Sequence, residues 1–450
     1  MIKSNRKRGP SYNEKGNYHM KTVYTCFCTD IIHAGHRNLL RAAAALGRVT
    51  VGVLSDPEMV RYNRFPTKTL SERIEMIRIL PEVSDVVVQE HIMYDAILER
   101  IRPDYVVHGS NWAQGPESSI RKNVLACLER YGGELIEPPY TENAEVRNID
   151  WRMREQLAMP EARRGRLRRL LEIVPIVKTI EVHNGLTGLI AEKTVVENDG
   201  GLDQFDAMWI SSLCDSTSRG KPDIELVDLS DRIQTINEVM DVTTKPIILD
   251  MDTGGTTEHF AYNVRTIERI GVSAVIVEDK TGAKRNSLFG TEVEQTQDTI
   301  ENFSAKIAAG KAAQRTEEFM IIARIESLIL EKGIDDALTR ADAYVAAGAD
   351  GIMIHSRQKT PDEVIAFCDA FHAKHPTVPI VAVPSSYNTI TEAELAAHGV
   401  RIVIYANQLT RSAFPAMENA ARSILLHHRA HEVDSELLPI KDIIRLIEVM

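Results

Sequence analysis

Short apolar runs recur along this chain, each closed by a polar cluster and followed by a stretch of helical length. In the first third, Thr22–Phe27, Arg48–Leu54, Asp85–Gln89 and Tyr105–His108 predict strands. Arg37–Leu46, Leu70–Leu80, Met93–Ile101 and Ser118–Tyr131 predict the helices between them. Short strands alternating with helices predict a parallel α/β sheet, here one doubly wound, Rossmann-like domain over 22–145. Eight further candidates lie in 173–450: Thr179–Val182, Ala207–Ser211, Pro246–Leu249, Ala274–Val277, Met320–Ala323, Gly351–Ile354, Pro379–Val383 and Ile402–Tyr405. Eight βα units over that length have the rhythm of a TIM (β/α)8 barrel. Residues 146–172 read as a linker helix. Its arginines (Arg152, Arg154, Arg163, Arg164, Arg166, Arg168 and Arg169) read as a solvated face.

Composition narrows the class. The 450 residues are 44% hydrophobic, enough for two real cores. A net charge of −11 argues against a nucleic-acid binder. No apolar run is long enough to predict a membrane span. Residues 1–21 carry Lys3, Arg6, Lys7 and Arg8 without an apolar stretch and read as a disordered basic tail rather than a secretory signal. Cys26, Cys28, Cys127, Cys214 and Cys368 are scattered, which suits a reducing cytoplasm.

Candidate chemistry gathers just past the barrel strands, the end where such barrels carry their sites. The groups are His183-Asn184-Gly185, Ser211-Ser212, Asp250-Met251-Asp252, Glu278-Asp279-Lys280, Arg324-Ile325-Glu326, His355-Ser356, Pro384-Ser385-Ser386 and Asn407-Gln408. Asp250, Asp252 and Glu278 lie at neighbouring strand ends. Hard oxygen donors of that kind suit Mg²⁺. Arg324, His355 and Lys284 supply positive donors opposite them. Together these residues predict a site for a small anion, such as a phosphorylated carboxylic acid, chelated to Mg²⁺.

Thr253-Gly254 after the Asp pair, Glu278-Asp279-Lys280 with Lys284-x-Asn286-Ser287, and Arg324-Ile-Glu326 resemble the phosphoenolpyruvate mutase family of the isocitrate lyase superfamily. The resemblance spans 173–450. Related carbon–carbon lyases carry a cysteine in the gating loop, whereas Lys284-Arg285-Asn286-Ser287 has none. The resemblance implies conversion of phosphoenolpyruvate to phosphonopyruvate. It also implies Mg²⁺ at Asp250, Asp252 and Glu278, and catalytic roles for Asp223, Lys284, Asn286, Arg324 and His355. Trp209, Ser211, Ser212, Leu213 and Ser287 would bind substrate. The 280–290 segment, with Gly282 and Gly290 as hinges, would close as a lid. Two departures stand out: Ser212 where the family has Gly, and Ala283 where it usually has Pro. The alternative from the same site is phosphonopyruvate hydrolysis. A homo-oligomer through the barrel is the assembly that the family suggests.

In the N-terminal domain, His33-Ala34-Gly35-His36 follows the first strand and opens a helix. Two imidazoles and free N–H groups at a helix N-terminus suit a triphosphate. With Asp30, Ser71-Glu72-Arg73 and His108-Gly109, this segment resembles the cytidylyltransferases. The resemblance implies CTP as co-substrate, nucleotide-binding roles for Asp30, His33, Gly35, His36, Arg73 and Gly109, and a hydroxyalkylphosphonate such as 2-hydroxyethylphosphonate as acceptor. The family pattern is lost at Cys26 and Phe27, at Asn63, at Ser110-Asn111 and at Glu142–Val146. A retained fold serving oligomerisation or docking is the competing reading. The fusion resembles bifunctional enzymes of phosphonate antibiotic pathways of the fosfomycin type.

Overall fold

The computed structural model describes residues 20–447 except 63, 114–116, 140–143, 199–200 and 283; the side chains of 144–148, 150, 198 and 201 are also outside the description. The basic tail, Asn63 and Ala283 therefore lie outside the described residues. The strands, in chain order, begin with β1 (Thr22–Phe27), β2 (Arg48–Leu54), β3 (Asp85–Gln89), β4 (Tyr105–Val107), β5 (Glu134–Ile136) and β6 (Val177–Val182). Then come β7 (Val195–Asn198), β8 (Gly201–Gln204), β9 (Ala207–Ile210), β10 (Ile247–Asp250), β11 (Ala274–Glu278), β12 (Lys280–Thr281) and β13 (Thr296–Gln297). The last are β14 (Met320–Ile325), β15 (Gly351–Ile354), β16 (Ile380–Ala382) and β17 (Val400–Tyr405).

The chain divides into two compact units. The first runs through Leu157 and also takes in Thr194–Gln204. Its sheet has the order β3-β2-β1-β4-β5, with every pair parallel. Valine-rich β1, β2 and β4 pack through Val23, Val51, Val53 and Val107 against Leu40, Ala43 and Ile77 of the helices. The strand order turns back between β1 and β4. Such a switch point opens a crevice at the strands' C-terminal ends. The hairpin β7–β8 belongs to this unit, and Gln204 Nε2 donates to the Val60 carbonyl at 2.6 Å.

The second unit is a closed eight-stranded barrel, in the order β10-β11-β14-β15-β16-β17-β6-β9. All eight strands are the predicted ones. Strand alternation decides what its mouth contains. Leu249, Val275, Val277, Ala323 and Ile325 belong to the apolar layer shared with Phe260, Val264 and Ile267 of the surrounding helix. Their alternate neighbours Asp250, Glu278 and Arg324 are thereby turned to the barrel interior. Glu278 is paired in register with Arg324.

The arginine-rich segment differs from its sequence reading. It forms two helices, Ala144–Ala158 and Pro160–Ile173, and the second belongs to the barrel unit. Arg163, Arg164 and Arg166 are buried rather than solvated. Arg163 donates to the carbonyls of Thr243 (2.7 Å), Lys245 (3.4 Å) and Met240 (3.4 Å). Arg164 reaches the Glu268 carbonyl at 3.1 Å, and Arg166 donates to Thr244 Oγ1 at 2.8 Å. These groups lie at helix C-termini and in the turns before strands, where carbonyls lack intrahelical partners. The guanidinium groups close the barrel floor by satisfying them. Burial pushes Arg163 down to about 10 and Arg166 to about 9.

Arg163→Ala removes the donor to two buried carbonyls, those of Thr243 and Lys245, and to the part-buried one of Met240. It should destabilise the barrel by roughly 2–4 kcal/mol, read as a lower urea midpoint with an unchanged m-value.

Candidate active site

A small cavity at the barrel mouth is lined by Trp209, Ser211, Ser212, Leu213, Asp223, Asp250, Glu278, Lys284, Asn286, Ser287, Arg324 and His355. These residues come from the ends of β9, β10, β11, β14 and β15, from the 280–297 segment, whose stems pair as β12 and β13, and, for Asp223, from the loop after the helix Ser212–Ser218. Ser211 caps the helix Ser212–Ser218. Ser212 Oγ and its N–H donate to Asp250 Oδ2 at 2.9 and 3.2 Å. The predicted catalytic and substrate-binding residues are thus brought together.

Lys284 is the centre of the charge pattern. Its ammonium donates to Ser212 Oγ (2.7 Å), to Asp223 Oδ1 (2.8 Å) and to Asp252. Three N–H donors meet three acceptors. Asn286 Nδ2 donates to the other Asp223 oxygen at 2.8 Å. Burial would lower the Lys284 pKa, but Asp252, Asp250, Glu278 and Asp223 outweigh it and raise it. Arg232 donates to the Asp250 carbonyl (2.5 Å) and to Asp252 Oδ2 (2.6 Å). Asp252 adopts φ 53, a left-handed conformation that Asp tolerates better than most residues.

The metal expectation is only partly met by the geometry. Among the described residues no three acidic, histidine or cysteine side chains gather as a metal centre. Asp252 lies behind the cavity lining, held by Arg232 and Lys284. The donor chemistry nevertheless fits a hard cation: Glu278 Oε1 is buried without a hydrogen-bond partner, with the Lys280 ammonium 3.2 Å away. Burial pushes the Glu278 carboxyl up to about 7 against the pull of Arg324. Burial acts likewise on Asp250, but Lys284, Arg324 and Arg232 hold it below the usual carboxylate range.

Ser287 lines the cavity and is also bonded within the protein. Its hydroxyl donates to Glu326 Oε2 at 2.5 Å and accepts from Arg324 (2.7 Å) and Lys280 (2.9 Å). Its hydrogen-bonding capacity is used within the protein. Burial would raise Glu326, yet Arg324 and Lys280 hold it down at about 2. His355 is buried, and both ring nitrogens lack partners. Burial and the Arg324 charge push it down to about 3.

Sequence reasoning gave no role to Arg232 or Glu326. Glu326 sits inside a motif already singled out. Arg232 lies in the helix Leu229–Met240, remote in sequence from any strand end, and carried no local signal.

In the first unit a second cavity lies at the ends of β1 and β4. His33, Gly35, His36, Gly109, Tyr62, Arg64, His108 and Asn111 are among its lining residues. His33 caps the helix Ala34–Ala44, its Nδ1 accepting from Gly35 N–H at 3.1 Å. The His33 and His36 rings lie 3.8 Å apart. His108 stacks on Trp112 at 3.6 Å. Asp30 and Arg73 do not line this cavity. Asp30 Oδ2 accepts from Thr67 N–H and Oγ1 at 2.6 and 2.7 Å, and fully buried Arg73 is paired with Asp56. They brace the turn beneath the site. Burial and His33 lower His36 to about 3, so this imidazole is neutral near pH 7.

Fold and site together define a barrel enzyme acting on a small anion, joined to a nucleotide-fold domain. Residues 167–425 match the phosphoenolpyruvate phosphomutase family, and 24–149 match the cytidylyltransferase-like family. The chain belongs to the phosphoenolpyruvate phosphomutase family, within which its barrel is of the mutase and phosphonopyruvate hydrolase type. It is 38% identical over 282 residues to the phosphonopyruvate hydrolase of Variovorax sp. (strain Pal2), covering 62% of this chain and 93% of that one. It is 34% identical over 289 residues to a phosphoenolpyruvate phosphomutase of Streptomyces hygroscopicus (63% and 87%). Among solved structures, a phosphoenolpyruvate phosphomutase from Streptomyces platensis subsp. rosaceus aligns with TM-score 0.57 at 33% identity, over 62% of this chain and 93% of that one. A phosphonopyruvate hydrolase complex with oxalate and Mg²⁺ aligns with TM-score 0.56 at 36% identity (63% and 94%). Among the described residues no helix is long and apolar enough to cross a membrane.

His355 has a folded pKa of about 3 against an ordinary 6.5. Because the unfolded state takes up the proton first, its contribution to stability is present above pH 6.5 and is lost as pH falls towards 3. Its ring resonances should stay those of neutral imidazole from pH 8 down to about 4 by NMR. A midpoint near 6.5 would contradict this.

Proposed function

We propose that the barrel interconverts phosphoenolpyruvate and phosphonopyruvate. The observation that carries this reading is the lid segment held over the cavity: Lys284 and Ser287 are buried, and Asn286 is bonded across the mouth to Asp223. In the reaction the enol P–O bond breaks, the pyruvate methylene carbon forms the new P–C bond, and the enol oxygen becomes the ketone. No external proton is needed. Phosphoryl transfer of this kind passes through a loose, metaphosphate-like state, so positioning and charge neutralisation do most of the catalysis. Arg324 neutralises the phosphoryl oxygens, and Asn286, an amide with no acid–base chemistry, orients them. His355 binds the substrate as a neutral donor. The Leu213 N–H, at a helix start after Ser211, would face the enolate oxygen; Trp209 walls that side. Asp250, Asp252 and Glu278 would hold Mg²⁺, whose chemistry here is stabilisation of negative charge on the enolate. Exclusion of water by the lid returns the phosphoryl group to carbon.

Hydrolysis of phosphonopyruvate is the second reading, favoured by the 38% identity to the Variovorax enzyme. In the N-terminal unit we propose cytidylyl transfer from CTP to a hydroxyalkylphosphonate, with His33 and Gly35 at the triphosphate. A docking or assembly role is the alternative there. We further place the protein in the cytoplasm as a homo-oligomer in a phosphonate pathway.

Phosphonopyruvate with Mg²⁺, followed by phosphorus NMR, should yield phosphoenolpyruvate; free phosphate with pyruvate as the sole products would establish the hydrolase instead. Asn286→Ala should lower kcat by about 10²–10³, the usual cost of one oriented donor. Chelation should abolish turnover. At limiting Mg²⁺, activity should fall as pH drops through about 7, because Glu278 takes up a proton there and the proton competes with the cation. For the first unit, pyrophosphate release from CTP with 2-hydroxyethylphosphonate should exceed that of His33→Ala; equality would leave the docking role.

A further inference from the structure

Both stems of the lid converge on one buried carboxylate that the chemistry above does not use. Asp279 is fully buried and lies between Glu278 and Lys280. Its Oδ2 accepts from Gln297 Nε2 (2.8 Å), Tyr344 Oη (2.8 Å) and Arg340 (3.3 Å). Its Oδ1 accepts from the Glu326 N–H at 3.0 Å. Its carbonyl accepts from Asp298 N–H at 2.8 Å, and its own N–H donates to the Arg324 carbonyl at 3.0 Å. Arg340 also donates to the Asp298 carbonyl at 2.9 Å.

These bonds tie three separate pieces together. Gln297 and Asp298 are the returning stem of the lid. Asp279 is the root of the outgoing stem. Glu326 is at the strand end that carries Arg324, and its carboxylate in turn holds Ser287 on the lid. Tyr344 and Arg340 come from the long helix Gly333–Ala346 and fix the carboxylate from behind. A buried carboxylate with four donors is rigid, and removing one donor leaves an imbalance that is costly inside a protein. Between the stems, Gly282 (φ 82) and Gly290 (φ 53) adopt left-handed conformations where the loop turns. The stems are therefore pinned, and the described backbone between them turns at these two glycines.

We propose that Asp279 is a positioning residue that clamps both lid stems to the Arg324–Glu326 strand end, and so decides whether the phosphoryl group is recaptured by the pyruvate enolate or lost to water. The product consequence rests on the barrel reading above; the clamp itself does not.

Two measurements keep them apart. The lid carries adjacent Lys284 and Arg285, so trypsin cleavage there reports lid opening without any turnover. Asp279→Asn and, independently, Gln297→Ala should speed cleavage at that pair by about tenfold, with cleavage elsewhere unchanged. In phosphorus NMR with phosphonopyruvate, both variants should divert at least a tenth of the product to phosphate and pyruvate while wild type forms phosphoenolpyruvate. The KM should change less than this partition. If Asp279→Asn does not fold, Gln297→Ala alone decides. Wild-type cleavage in Gln297→Ala overturns the clamp. Faster cleavage with a wild-type product ratio overturns its role in partition. A wild-type enzyme that forms no phosphoenolpyruvate overturns the mutase reading, and the cleavage result still stands or falls separately.

Discussion

Everything at the barrel mouth depends on one buried ammonium. Lys284 sits on the lid, yet each of its three N–H groups ends on a different barrel-side partner: Ser212, Asp223 and Asp252. Buried charges are tolerable only when paired and hydrogen-bonded. The pocket concentrates carboxylates that would repel one another without Lys284, Arg232 and Arg324 among them. The same ammonium brings the lid down, holds Asp223 at the mouth and places Asn286 beside it. A neutral side chain at 284 would take the ion-pair partner from Asp223 and leave Asp252 to Arg232 alone.

The site follows from strand geometry before any special chemistry is invoked. Parallel strands in a closed barrel expose alternate residues to the interior. Leu249, Val277 and Ala323 face the helices, so Asp250, Glu278 and Arg324 face inward, Glu278 and Arg324 in register. The acids and the arginine are adjacent because their strands are adjacent. Loops after β9 and β11 then add the uncharged contacts from Ser212, Leu213 and Asn286.

Much of this was legible in the sequence, for a physical reason. Barrel strands are short β-branched runs that end abruptly in charge, and both the runs and their ends leave a mark. Features that depend on distant partners left none. Arg163 and Arg166 look like solvated surface because their partners are backbone carbonyls, which have no sequence signature. Arg232 is an arginine on an amphipathic helix until the fold delivers it to Asp252. Asp30 and Arg73 carry the right chemistry for a nucleotide, but they do not line the cavity, and Thr67 holds one Asp30 oxygen and Asp56 one Arg73 nitrogen. Ser287 lines the cavity, and nothing in its sequence position marks the bonds its hydroxyl makes to Glu326, Arg324 and Lys280.

The hairpin β7–β8 has a consequence for how the protein can be taken apart. It is encoded between the first and second barrel strands but belongs to the N-terminal unit, anchored there through Gln204 and Val60. No single cleavage of the chain separates the two units. A fragment ending at Leu157 lacks a strand pair, and one beginning at Ala158 carries that pair without the surface it was built on. Separate expression of the two halves therefore requires a deletion within the barrel sequence as well as a cut between the helices, and the same topology would oppose division of the gene into two.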